Sequence, residues 1–117
     1  VHTALITPFT QDDQIDEDGI LQLIERQFHY GIKGITVLGT TGEAPTLSKK
    51  EKVKIIQLAR KKCSSDKILI VGTGNYSTSE TIENTLLAES EGADVALIIA
   101  PYYNKPSQEG LYQHYKR

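Results

Sequence analysis

Four apolar runs alternate with four helix-like segments, and this alternation narrows the possible folds more than any other feature. The runs are Ala4-Leu5-Ile6-Thr7, Gly34–Leu38, Ile68-Leu69-Ile70-Val71 and Val95–Ile99. They are continuous rather than interleaved with polar residues, so each reads as a strand covered on both faces, as in a parallel sheet. Asp16, Ser48 and Ser77 each offer a side-chain acceptor where a helix would start. Ser48-Lys49-Lys50-Glu51 and Ser77-Thr78-Ser79-Glu80 carry capping-box spacing, in which the hydroxyl and the carboxylate satisfy each other's backbone donors. Ile20, Leu23, Ile24 and Phe28 lay an apolar stripe on the first helix, and Val53, Ile56 and Ala59 on the second. Ile82, Leu86 and Ala93 lie near the packed side of the third. Gly31 and Gly92 stand just past helix ends, where a left-handed residue is usual. Pro106 and Ser107 open a fourth helix that runs to Arg117.

A strand–helix step of about 30 residues is a βαβ unit. Two architectures use it repeatedly: an open doubly wound sheet and a (βα)8 barrel. Both place chemistry at the C-terminal ends of strands. The polar and glycine-rich stretches fall at those ends: Thr7-Pro8, Gly39-Thr40-Thr41-Gly42-Glu43, Gly72-Thr73-Gly74 and Pro101-Tyr102-Tyr103-Asn104. Nucleotide-binding spacings fail. A dinucleotide fingerprint from Gly72 needs glycine where Ser77 stands, and a P-loop from Gly34 and Gly39 needs lysine where Thr40 stands. The barrel is therefore favoured, and four units make half of one. The chain starts inside a strand and stops inside a helix, so it reads as a fragment of a longer protein. A half-barrel leaves two strand edges unpaired, and apolar edges recruit other chains.

Composition excludes several function classes. A net charge of −2 and a pI near 5.9 argue against a nucleic-acid partner. The basic run Lys49–Lys54 is broken by Glu51 and reads as a solvated helix face. No apolar run approaches the ~18 residues a membrane span needs. Val1 leads directly into a strand, without the pattern of a signal peptide. One cysteine, Cys63, fits a reducing compartment, and a cytoplasmic location is expected. Asn75-Tyr76-Ser77 matches a glycosylation sequon and reads as chance in that setting.

The candidate site residues follow from position. Glycines at 39 and 42 let backbone approach a small ligand, and the amides and hydroxyls of Thr40 and Thr41 can hold an anion. Glu43 could act as an acid or base; holding the loop through backbone amides is the plainer task. Adjacent tyrosines at a strand end point to opposite sides, so one of Tyr102 and Tyr103 packs while the other presents a phenol. His2, His29 and His114 do not cluster, and no spacing suggests a metal. Cys63 has no histidine partner nearby in sequence. A Schiff base needs a lysine in a dry pocket. Lys67 lies at the wrong end of its strand, and Lys105 sits past a polar turn beside Pro106. The chain thus offers substrate-positioning groups without a nucleophile.

Gly39-Thr40-Thr41-Gly42-Glu43, Gly72-Thr73-Gly74 and the run from Pro101 to Tyr112 together resemble the dihydrodipicolinate synthase family across essentially the whole chain. The first motif marks the wider superfamily of pyruvate-dependent aldolases; Pro101-Tyr102-Tyr103-Asn104-Lys105-Pro106-Ser107-Gln108-Glu109-Gly110 is far more specific. The resemblance implies the N-terminal half of a (βα)8 TIM barrel, an α/β fold with parallel strands and outer helices. It implies a cytoplasmic lyase of lysine and diaminopimelate synthesis, a homodimer or homotetramer, condensing pyruvate with aspartate semialdehyde without a cofactor. Thr40 and Thr41 match the pair that binds the pyruvate carboxylate. Thr41 and Tyr103 match members of a proton relay in which the tyrosine reaches into a neighbouring subunit. The Schiff-base lysine belongs to a later strand. Glu80 and Tyr102 match a lysine-feedback site, whereas Lys49, Lys52 and Tyr76 depart from responsive enzymes. The alternatives are another pyruvate-dependent class I aldolase and a non-catalytic, self-associating half-barrel.

Overall fold

Each helix begins where the sequence supplies an acceptor. In the computed structural model, which describes residues 1–117, the helices are α1 (Glu17–His29), α2 (Lys49–Lys62), α3 (Thr78–Ser90) and α4 (Gln108–Lys116). Asp16 Oδ1 accepts from the Gly19 amide at 2.9 Å. Ser48 and Glu51 form the reciprocal box, and these bonds hold the Glu51 carboxyl below its ordinary value. Ser107 caps α4 through the Gly110 amide at 3.1 Å. The box expected at Ser77 and Glu80 is only half made. Ser77 accepts from the Glu80 amide, but Asn75 Oδ1 already takes the Ser77 amide at 2.8 Å, leaving Glu80 nothing to return.

The strands are β1 (His2–Ala4), β2 (Gly34–Val37), β3 (Ile68–Gly72) and β4 (Val95–Leu97), all parallel. Their spatial order is β1-β2-β3-β4. A doubly wound sheet reverses its order at a switch point, whereas a barrel lays each strand beside the one before. The observed order is the barrel's. β1 lies earlier than the expected run at residues 4–7, and the Leu5 amide adds one further ladder bond to Thr36 O. Strand β2 stops one residue short, because Leu38 turns left-handed (φ 57°) into the Gly39–Glu43 turn.

Side chains alternate across the sheet. Ile35, Val37, Leu69 and Val71 point to the face under α1 and α2, where they join Ile20, Ile24, Ile55, Ile56 and Ala59 in the core. Burying each large aliphatic side chain contributes about 1.5–3 kcal/mol. The opposite face departs from the expectation of two covered faces. Val95 and Leu97, paired with Ile70 and Gly72, are 46% and 49% exposed. Ile6 and Ile99 are exposed as well. The continuous apolar runs thus describe a sheet with helices on one side and an open second face.

Helix α3 also differs from expectation. Ile82 and Leu86 are exposed, while Thr81 and Ala88 are buried. The helix docks on the end of β3 through hydroxyls: Thr85 Oγ1 donates to Thr73 Oγ1 at 2.9 Å, and the Asn75 amide donates to Thr81 Oγ1 at 3.0 Å. Ile82 and Leu86 instead border a cleft of about 220 Å³ shared with Ile98 and His114. On α2, Ile55 is buried and Val53 only partly so.

Candidate functional site

Strand ends, rather than helix faces, place the polar groups. After Leu38, residues Thr40–Gly42 form one 3-10 turn, closed by the Gly42 amide on Gly39 O at 3.0 Å. Glu43 is left-handed (φ 56°), so the turn is bracketed by two non-glycine residues with positive φ. Such conformations cost about 1–3 kcal/mol each and concentrate at functional sites. Thr40 and Thr41 are exposed on this turn, and neither hydroxyl is engaged in a hydrogen bond within the chain. Both are therefore free to meet a ligand.

Glycines of β3 make room for this turn. A Cβ on Gly72 would lie 2.0 Å from Leu38 O and 2.9 Å from the Gly39 nitrogen. One on Gly74 would lie 2.5 Å from the Ile99 nitrogen. The Gly-Thr-Gly sequence thus serves close packing of backbones. Between, Thr73 is buried and bound to α3.

After β4, the two tyrosines divide as expected. Tyr102 is half-buried, its ring edge-on to Tyr76 at 5.4 Å. Burial, with Tyr76 and Glu80 nearby, pushes its phenol above the ordinary value of 10. Tyr103 is 90% exposed, has φ 70°, and rests its ring 6.1 Å from that of Tyr76. Thr40 and Tyr102 line one cavity of about 420 Å³, with Lys52, Asn75 and Asn84 as its other polar walls and Ile56, Leu97 and Ile99 among its apolar ones. Thr41 and Tyr103 do not line it and share no hydrogen bond with each other. Glu80 joins this group through its influence on the Tyr102 phenol rather than through a hydrogen bond.

Glu43 corrects the sequence reading. Its carboxylate is exposed and makes no hydrogen bond; its backbone carbonyl holds the loop by accepting from Thr46 Oγ1 at 2.9 Å. Thr7 is a contributor that spacing did not single out. Its buried hydroxyl donates to Gly42 O at 2.7 Å. Thr7-Pro8 at a strand end is the available signal, but position alone gives the hydroxyl no partner. Cys63 is buried, and burial pushes its thiol up. The Lys67 ammonium pairs with Asp66 and lies over the Phe28 ring, away from the strand C-termini. Lys105 is exposed.

The chain as a whole is similar to proteins of known class. The family model described as the Dihydrodipicolinate synthetase family matches residues 1–117. The 4-hydroxy-tetrahydrodipicolinate synthase of Protochlamydia amoebophila (strain UWE25) is 53% identical over 116 residues, 99% of this chain and 39% of that protein. The synthase of Pelagibacter ubique (strain HTCC1062) is 51% identical over 115 residues, 98% of this chain and again 39% of the relative. The crystal structure of dihydrodipicolinate synthase from Aquifex aeolicus superposes with a TM-score of 0.93 at 44% identity, covering 98% of this chain and 39% of that one. A chloride-inhibited synthase from Acinetobacter baumannii, complexed with pyruvate, gives 0.95 at 44% identity, covering 98% and 40%. The chain therefore spans about 39% of the length of the curated relatives it matches. Its four βα units correspond to the N-terminal half of their (βα)8 barrel. With that coverage, identity and strand order in agreement, the chain belongs to the dihydrodipicolinate synthetase family.

Proposed function

We propose that these residues form the pyruvate-positioning half of a 4-hydroxy-tetrahydrodipicolinate synthase, which condenses pyruvate with aspartate semialdehyde through a Schiff base. The observation that carries this reading is the turn at Thr40–Gly42: two exposed, uncommitted threonine hydroxyls at a strand C-terminus, fixed between left-handed residues. In this role the Thr40 and Thr41 hydroxyls and amides donate to the pyruvate carboxylate. Thr41 then passes protons toward Tyr103, whose exposed phenol supplies the projecting end of a relay completed by another subunit. A phenol is a weak acid in water, and a hydrogen-bonded chain is what lets it exchange protons during carbon–carbon bond formation. The lysine that carries the imine lies outside residues 1–117 in this reading. Metal and cofactor take no part in it.

Two further assignments follow from the same resemblance. Glu80 and Tyr102 occupy the effector position, but Tyr76 stands edge-on to Tyr102 and Lys52 shares a cavity wall with it. An added cation beside a cationic effector is unfavourable, so feedback by lysine is expected to be weak. A second, non-catalytic reading is favoured by one observation: β4 is exposed along its whole length. Such an edge supports self-association.

The test is a pyruvate titration of the 117-residue chain followed by borohydride and intact-mass measurement. Amide shifts at Thr40, Thr41 and Gly42 without a covalent adduct support the reading. A specific pyruvyl adduct on this chain overturns the placement of the lysine elsewhere. No shift at the turn, with concentration-dependent association, favours the non-catalytic reading. Turnover of aspartate semialdehyde against sugar-acid aldehydes in the complete enzyme separates the synthase from other aldolases of the superfamily.

A further inference from the structure

We infer that Thr7 is a positioning residue for the anion-binding turn; the inference rests on the proposal that Thr40 and Thr41 hold the pyruvate carboxylate. The two threonines sit on a single 3-10 turn at the exposed end of β2. A turn of three residues has few bonds of its own, because a 3-10 segment closes only short i to i+3 rings. Here there are two, the Gly42 amide on Gly39 O and the Glu43 amide on Thr40 O. The remaining restraint comes from across the sheet. Thr7 Oγ1 donates to Gly42 O at 2.7 Å, a short, buried bond between residues 35 positions apart. A Cβ on Gly42 would lie 3.2 Å from Leu5 O and 3.4 Å from Thr7 Oγ1, so the turn is seated against the end of β1. Pro8 follows immediately and bars an αR backbone at Thr7.

Thr7 is buried, with only 6% of its surface exposed, and it touches the turn rather than the space above it. It therefore acts through Thr40 and Thr41. Gly42 O is the last carbonyl of the turn, so tethering it sets the directions of the two preceding hydroxyls and amides. Small displacements of positioning groups weaken a ligand's hold disproportionately, and ~1 Å can lower a rate about a hundredfold.

The experiment compares pyruvate dissociation constants, read from amide shifts at Thr40 and Thr41, in the complete enzyme that contains this chain, as wild type, Thr7→Val and Thr7→Ser. Valine keeps the volume and removes the donor; serine keeps the donor and removes a methyl group. The expected result is about tenfold weaker binding in Thr7→Val, the scale of one buried hydrogen bond, with Thr7→Ser within about twofold of wild type. A purely structural role would penalise serine as well, through its lost methyl packing. Equal affinity in Thr7→Val and wild type overturns the inference, as does equal weakening in both variants. If Thr7→Val does not fold, Gly42→Ala replaces it, since its Cβ lifts the turn from Leu5 O while Thr7 stays. Wild-type affinity in Gly42→Ala then overturns the assignment. A complete wild-type enzyme that shows no pyruvate shift at all overturns the proposed function, and this inference with it, whereas the variant results bear on Thr7 alone.

Discussion

The two ends of the sheet solve the same problem, reversing the chain, by opposite means. At the N-terminal end, helices hand over to strands through Gly31 (φ 80°) and Gly92 (φ 87°), residues for which a left-handed backbone is inexpensive. At the C-terminal end, every positive φ falls on a residue with a side chain: Asp13, Leu38, Glu43, Tyr103 and Lys105. Polar groups differ likewise. At the N-terminal end, Arg60 bonds Gly92 O, Asp94 and Cys63 O at 3.0, 2.9 and 2.8 Å, and Asp94 also accepts from the Leu69 amide. At the C-terminal end, Thr40, Thr41 and Tyr103 stand exposed. One end is satisfied and the other is kept available, as expected of a barrel whose chemistry sits at the C-terminal face.

The largest effect should come from removing the room on which the strained end depends. Gly72→Ala drives a Cβ to 2.0 Å from Leu38 O, a backbone atom that cannot swing aside. A loss of about 3 kcal/mol, the upper range for overpacking, is expected from urea unfolding. A loss under about 1 kcal/mol would mean that the Leu38 backbone yields to the added methyl group at little cost. Next, under the proposed function, Thr41→Val and Tyr103→Phe should each lower the condensation rate of the complete enzyme about a hundredfold. Their unfolding midpoints should stay at the wild-type value, because both side chains are exposed and unbonded within the chain. A matching loss of stability in either variant would erase the contrast between the two ends.

The satisfied end predicts the reverse pattern: stability lost, rate retained. Arg60→Ala removes three hydrogen bonds from a half-buried guanidinium, and about 1–2 kcal/mol should go with them. Asp94 adds a pH signature. The Leu69 amide, and then Arg60, hold its carboxyl below the ordinary value of 3.8. A depressed folded value means that the carboxylate contributes stability above the unfolded value. That contribution disappears as pH falls through the lower folded value. Wild type should therefore exceed Asp94→Asn by about 1 kcal/mol at neutral pH, since solvent screens this partly exposed pair. The gap should begin to narrow as pH falls through 3.8 and close only below the depressed folded value. A gap that persists in acid would assign the effect to packing instead of charge.

The division between the ends was readable in the sequence only where chemistry is local. Caps at Asp16, Ser48 and Ser107, and left-handed glycines at Gly31 and Gly92, follow from side-chain reach and backbone freedom within a few residues. The strand runs gave the parallel order, and the positions of Thr40, Thr41, Tyr102 and Tyr103 followed from it. What stayed hidden depends on neighbours distant in sequence. Ile82 and Leu86 have the period of a buried face, yet hydroxyls of Thr81 and Thr85 dock the helix, and hydropathy cannot see a hydroxyl pair as an anchor. Thr7 meets Gly42 across 35 residues. The open face of β4 could not be inferred from an apolar run, which records what a strand is suited to bury and not what covers it.

The smallest effect tests the comparison most directly, by moving glycine from one end to the other. Glu43 is left-handed, exposed, and without a side-chain hydrogen bond. Glycine there relieves an αL strain of about 1–2 kcal/mol but adds roughly 0.5–1 kcal/mol of unfolded-state entropy. Glu43→Gly should therefore gain stability, by less than about 1 kcal/mol. Gly31→Ala meets no atom within 4 Å, so its loss should come from φ alone, about 1 kcal/mol. Calorimetric melting of the two variants and their combination measures both terms. The sites lie at opposite ends of the sheet and share no partner, so the combined change should be close to the sum. If Glu43→Gly lowers stability, the carboxylate makes a contribution that conformation does not account for, and strain at the C-terminal end is then not simply conformation tolerated for the sake of the site.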